Sequence, residues 1–223
     1  MGPTATARSL CDDDGPRDPG APEVSVPAWR VAGSFGWLAS TLRFSGVDVP
    51  FVQRSVAASL TRNLGRDWSV SAGAGAVVSG SLDANGLQYA MDPGWLVRLG
   101  ATWMALDARG PWPFLALSAS LAASGVTTVA PDGSRASLTS VDAGLSASAG
   151  WPIAGVIAPY LGAKVFGGPV WWTLEGASVT GTDVNHWQVA IGAAASLPLG
   201  IDLLVEWAPL GARSAVAQVG WAF

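Results

Sequence analysis

The only histidine of the chain, His186, closes the run Thr182-Asp-Val-Asn-His186, three residues after a carboxylate. An imidazole oriented by an acid is the minimum equipment of a general base, so Asp183 and His186 mark the place where this sequence could do nucleophilic or acid–base chemistry. The pattern is thin. No His-x-Ser stands beside it, and a single histidine near a loop is more often solvated than catalytic. Asp12-Asp-Asp-Gly15 lacks the further spaced oxygen ligands of a calcium loop. The lone Cys11 excludes an intramolecular disulfide framework and any cysteine-rich metal site, and the Ala-Arg-Ser-Leu before it does not read as a lipid-attachment signal. The run Ser71 to Ala76 is glycine-rich, but no Lys-Ser/Thr follows it, so it is no phosphate loop. The expectation is no catalytic residue, no metal and no cofactor.

A second set of ionisable residues is more informative: Arg30, Arg98, Asp142, Lys164, Asp202 and Glu206 each stand inside a stretch that alternates apolar and polar residues. An isolated buried charge is costly, so three positive and three negative groups sharing one polar face should pair. They either fill the inside of a closed sheet as a salt-bridge network or line a narrow polar path through it.

Composition points to such a sheet. Of the 223 residues, 50% are hydrophobic and only 13% charged, well below the roughly 25% of ordinary soluble domains. A net charge of −4 offers no basic footprint, so no nucleic-acid partner is expected. Long uncharged gaps run from Arg109 to Asp132 and from Asp142 to Lys164, each long enough for a membrane helix. The first, however, alternates with period two through Leu115, Leu117, Ala119 and Leu121. The second is broken by Gly150-Trp-Pro152, Gly155 and Pro159. Read by parity, the chain yields about ten strands: 28–43, 52–62, 67–79, 94–106, 113–125, 138–150, 157–171, 185–197, 200–208 and 212–223. Short turns alternate with longer Gly-, Asp-, Ser- and Pro-rich segments at 80–93, 126–137 and 172–184, which read as loops. Residues 1–27 have no periodicity and read as a disordered tail ahead of one domain, 28–223.

Tryptophan marks two levels on these strands. Trp29, Trp68, Trp103, Trp112, Trp151 and Trp221 fall near the turn ends; Trp37, Trp95, Trp171, Trp172, Trp187 and Trp207 fall near the loop ends. Trp29 and Trp37, like Trp95 and Trp103, lie on one face and project about 20 Å apart along a tilted strand. Aromatic girdles flank an apolar band about 25 Å tall in membrane barrels, so this spacing fits one.

The last strand then carries a resemblance. Ala215, Ala217, Val219, Trp221 and Phe223 form one apolar row that ends on a terminal phenylalanine. The row resembles the C-terminal strand of Gram-negative outer-membrane β-barrels. The resemblance implies an all-β, transmembrane, antiparallel up-and-down barrel in the cell outer membrane, in contact with its lipids, and assembled by machinery that reads Phe223 and its row. The role expected is structural, surface or porin-like, with a possible small solute. No secretory signal is visible in this sequence, which such a location requires. Two alternatives stand beside it. One is a barrel enzyme using His186, although the chain lacks the multiple facing acidic residues and long outer extensions of the omptin proteases and the His–Ser pair of lipid A deacylases. The other is a soluble β-sandwich binding module.

Overall fold

The computed structural model describes residues 27–108, 112–174 and 176–223. The segment expected to be a disordered tail lies outside the described residues, apart from Pro27. No helix among the described residues is long and apolar enough to cross a membrane. Among the described residues thirteen strands form one antiparallel sheet: β1 (Trp29–Phe44), β2 (Val47–Leu64), β3 (Trp68–Ala84), β4 (Leu87–Met91), β5 (Gly94–Leu106), β6 (Phe114–Val129), β7 (Arg135–Gly150), β8 (Ile157–Gly167), β9 (Pro169–Leu174), β10 (Ala177–Asp183), β11 (Trp187–Ser196), β12 (Ile201–Gly211) and β13 (Arg213–Ala222).

The pairings close two rings, one above the other. Ten strands make the lower ring, in the order β1-β2-β3-β5-β6-β7-β8-β11-β12-β13, and β13 returns to β1 from Arg30↔Ala222 to Ala39↔Arg213. The hairpin of β12 and β13 is short. Above it β1 pairs directly with β10, Leu42↔Asp183 to Phe44↔Gly181. That contact closes a second ring of eight: β1-β2-β3-β4-β6-β7-β9-β10. The chain steps between rings at three breaks, two of them at a residue that cannot continue the ladder smoothly. Pro93 has no N–H to donate, Gly168 leaves no room for a Cβ against Val141 O, and 184–186 bridge β10 to β11.

Three segments read as loops are largely strand. Residues 80–93 carry the end of β3 and all of β4, 126–137 the facing ends of β6 and β7, and 172–184 the end of β9 and all of β10. In the first of these the turn is the reason. Asn85 (φ 53°) with Gly86 (φ 78°), like Ser45 (φ 50°) with Gly46 (φ 87°) between β1 and β2, takes the left-handed backbone of a two-residue hairpin turn, whose twist matches the flanking strands and lets pairing run to the tip. The β2–β3 ladder also shifts register, between Arg54 and Ser55 opposite Val77 to Ser79. That bulge moves the inward face of β3 from odd to even numbers, so that Leu82 and Ala84 are buried with Val77.

The faces of the two rings have opposite polarity. In the lower ring the outward rows are apolar between the two tryptophan levels, as in Trp95, Val97, Leu99, Ala101 and Trp103, with Arg54 and Arg62 at the ends of the β2 row, and many of the large side chains are solvent-exposed. In the upper ring Thr127, Ser137, Ser178, Thr180, Thr182, Arg43, Asp48 and Arg135 face out. Inside it lies the main apolar cluster, including Leu42, Phe44, Val49, Phe51, Leu82, Met91 and Leu138. Eight strands leave an interior just wide enough for side chains to fill, and here they fill it.

Candidate functional site: the barrel interior

Parity places all six predicted interior charges on inward positions, and the register decides which meet. Arg30 and Asp202 are brought together across β13: Nε donates to Oδ2 at 2.7 Å and to Oδ1 at 3.0 Å, and Nη2 also contacts Oδ1. With its amide oxygen turned to Arg30, Gln218 accepts from Nη1 at 2.8 Å and Nη2 at 2.9 Å. Arg30 is only 4% exposed, so this set of partners is what makes its burial tolerable. Glu206, equally buried, accepts from the Tyr160 hydroxyl at 2.7 Å. Lys164 Nζ stands 4.0 Å from Asp142 Oδ1, a looser pair. Arg98 lies within electrostatic reach of Arg30, and Asp142 within reach of Asp183.

Between the two ends of the lower ring is a cavity of about 310 Å³. Its ceiling is the underside of the upper core: Leu42, Phe51, Val126, Leu138 and Val170. Its walls are hydroxyls and charges, with Thr102 bonded to Ser118 at 2.9 Å and Ser124 to Ser140 at 2.8 Å. Nearer the turn ends lie the Arg30–Asp202–Gln218 set and, separately, a small cluster that includes Met104, Phe114 and Tyr160.

Glycine explains why this space exists. A Cβ on Gly73 would sit 2.8 Å from Arg98 Nε, on Gly144 2.6 Å from Lys164 Cε, on Gly192 2.5 Å from the Tyr160 hydroxyl, and on Gly220 2.5 Å from Arg30 Nη2. Each long inward side chain therefore lies flat on a glycine of a neighbouring strand instead of reaching toward the barrel axis. These contacts were not legible as such, although the interior faces were: Ser and Gly on β3, and Arg98, Gly100 and Thr102 on β5.

On the outside, nine of the predicted girdle residues stand on the outward face: Trp29, Trp37, Trp68, Trp95, Trp103, Trp151, Trp187, Trp207 and Trp221. Trp68, Trp95, Trp103, Trp151, Trp187, Trp207 and Trp221 are exposed, whereas Trp29 and Trp37 are half-buried. Trp37 and Trp207 are both level with Ala215, and Trp68 stacks on Trp103 with centroids 6.0 Å apart. Trp172 departs from the girdle. It shares the inward parity of Lys164 and Val170, packs on Phe44 and Tyr89, and donates to Thr128 Oγ1 at 3.0 Å. At the seam the Phe223 N–H donates to Trp29 O at 2.9 Å, and the Phe223 ring leans on Trp221.

His186 is exposed at the break between β10 and β11, within electrostatic reach of Asp183, whose Oδ1 accepts from Ser40 Oγ at 2.7 Å and from the Asn185 N–H at 2.8 Å. No group of three or more metal-ligating side chains occurs among the described residues.

No family model matches the chain, and no curated protein matches it. Solved structures do. The translocator domain of the autotransporter NalP from Neisseria meningitidis superposes with a TM-score of 0.56 at 14% identity, covering 90% of each chain. The beta domain of the Bordetella autotransporter BrkA gives 0.50 at 13% identity, over 88% of this chain and 100% of that one. The outer membrane protein OprG from Pseudomonas aeruginosa gives 0.47 at 10% identity, over 89% and 96%. The fold is that of an outer-membrane β-barrel: all-β, antiparallel, up-and-down, with a ring of about ten strands.

Proposed function

We propose that this chain is an integral barrel of the outer membrane with a structural and surface-presenting role: a closed hull that holds a rigid, polar, eight-stranded stem clear of the lipid. The observation that carries this reading is the apolar core of the upper ring. Leu82 and Val77 are fully buried and Val49 nearly so, and packed interiors of this kind leave no aqueous column along the axis. Catalysis is not part of this reading, since the Asp183 carboxylate takes its hydrogen bonds from the Ser40 hydroxyl and the Asn185 N–H. The apolar outer wall is suited to lipid, and the Trp221–Phe223 row at the exposed foot of β13 suits recognition by an assembly machinery.

Single-channel recording in planar bilayers tests the closed hull. Silence is expected from the wild-type protein, and ohmic steps from a double Phe51→Ser, Leu138→Ser variant that hollows the ceiling. Clear ohmic steps from the wild type would replace this reading with a narrow pore for small solutes.

A further inference from the structure

Two arginines of the outer wall stand where the apolar band gives way to the polar stem. Trp37 on β1 pairs with Arg54 on β2 and with Ala215 on β13, and Arg213 lies one outward position above Ala215. Both arginines are exposed. With the tryptophans marking one level, the pairing rows climb from β11 towards β5. Trp187 lies four residues beyond Ile191 of Trp37's row, whereas Trp95 lies in the row of Phe35. That climb offsets the lead of Arg213, so the two arginines come to one height just above Trp37, their backbones about 12 Å apart across it.

Their surroundings differ from those of the arginines higher up. Arg43 meets Asp48 at 2.5 Å, and Arg135 meets Asp92 at 3.0 Å. Arg54 and Arg213 form no ion pair among the described residues. Neither β1 nor β13 contains an acidic residue, and the one acid of β2, Asp48, is the partner of Arg43. The wall thus matches its cations where water surrounds them and leaves them unmatched at the edge of the apolar band.

Beneath Arg213 the wall has a shape. Ala215 lies between Trp37 and Trp207, and Ala217 between Phe35 and Val205, each triplet being one paired row. Phe35, Trp207 and Val205 are exposed, so the short side chains of β13 leave a furrow between taller neighbours. It runs down into the apolar band from the foot of Arg213.

We propose that this face seats one lipid by a phosphate-bearing headgroup. Phosphate oxygens accept from Arg54 and Arg213 above Trp37, and an acyl chain lies in the furrow over Ala215 and Ala217. A guanidinium presents a planar fork of donors that suits phosphate, and tryptophan belongs at headgroup level. The inference rests on the outer-membrane reading, because only a membrane brings headgroups to this height.

The test uses the full chain, folded into micelles of an uncharged detergent, with bound lipid counted by native mass spectrometry. The probes are lipid A carrying both phosphates, the same lipid with its phosphates removed, and inorganic pyrophosphate. An adduct with the phosphorylated lipid is expected, and a much weaker one with the stripped lipid. Arg54→Gln and Arg213→Gln should each lower that adduct about five-fold, whereas Arg43→Gln leaves it unchanged. Ala217→Trp, which fills the furrow without altering charge, should lower it as well. Faster gel migration before boiling than after confirms that each variant is folded; if Ala217→Trp fails to fold, the two arginine variants decide. Equal adducts of the two lipids, or wild-type levels in both arginine variants, overturn the seat. Pyrophosphate displacing the lipid completely would make this a site for a free anion and overturn it too. These outcomes, in a barrel that needs an amphiphile to fold, strike the seat alone; a folded monomer in plain buffer overturns the outer-membrane reading itself.

Discussion

Below the outer tryptophan level the barrel carries its apolar residues outside and its polar residues inside; above that level the arrangement is reversed. Leu99 and Val205 face out in the lower ring, where Arg98 and Glu206 face in. Thr127 and Thr182 face out in the upper ring, where Val126 and Phe44 face in. Strand parity is continuous along β1, β6 and β7, so backbone geometry is not the source of the reversal. The two rings are one architecture written for two solvents, hydrocarbon around the lower and water around the upper. A side chain's contribution to stability should therefore depend on which ring it occupies, not on its residue type.

The largest effect should come from breaking the polar interior below. Asp202→Ala leaves Arg30 buried without its carboxylate and should cost about 3–5 kcal/mol in a folding titration into lipid vesicles. A cost under 1 kcal/mol would mean that water reaches Arg30 and that the lower interior is not enclosed. The upper counterpart is Leu82→Ala. Truncating that fully buried side chain should cost about 2–5 kcal/mol, whereas Ser71→Ala, lining the chamber below, should be near neutral.

The wall sharpens the contrast next. Ala101→Arg or Ala193→Arg places a charge in the apolar band and should cost about 2–4 kcal/mol in the same titration. Thr182→Arg, outward in the upper ring, should stay within about 0.5 kcal/mol, as surface substitutions do. Equal costs at the two heights would abolish the distinction between the rings. The smallest effect belongs to His186→Ala. It should leave folding, and any lipid or peptide turnover assayed on the purified barrel, unchanged. A hydrolytic activity lost on that substitution would bring back the enzyme.

The lower ring was legible because its outward rows are long and uniformly apolar. β5 was placed at 94–106 from Trp95, Val97, Leu99, Ala101 and Trp103 opposing Arg98, Gly100 and Thr102, and the six interior charges followed from the same parity. The upper ring was not legible, for three physical reasons. Its outward residues are the Ser, Thr, Asp and Gly that also make loops, so strands such as β10 read as connections. Its inward face depends on a bulge opposite Arg54 and Ser55, which no alternation rule anticipates. Its closure depends on β1 meeting β10, a pairing between residues far apart in sequence. Two signals were present and went unused: Asn85-Gly86, a strong two-residue turn, and the even number of Trp172, which set it among the inward residues. Of the interior, the groups were legible but the partners were not. Arg30 finds Asp202 only once β13 has been laid between β1 and β12.

The direct pairing of β1 with β10 also bears on the order of events during assembly. A chain stopped at Asp183 already contains all eight strands of the upper ring, but only seven of the ten below, lacking β11, β12 and β13. The crown can therefore close while the hull still gapes between β8 and β1. The last three strands then have a slot of fixed width to enter, roofed by the β1–β10 ladder and edged on one side by β1. On this view Phe223, whose backbone joins Trp29 at the foot of that slot, is the last tooth of a zipper that starts from the top.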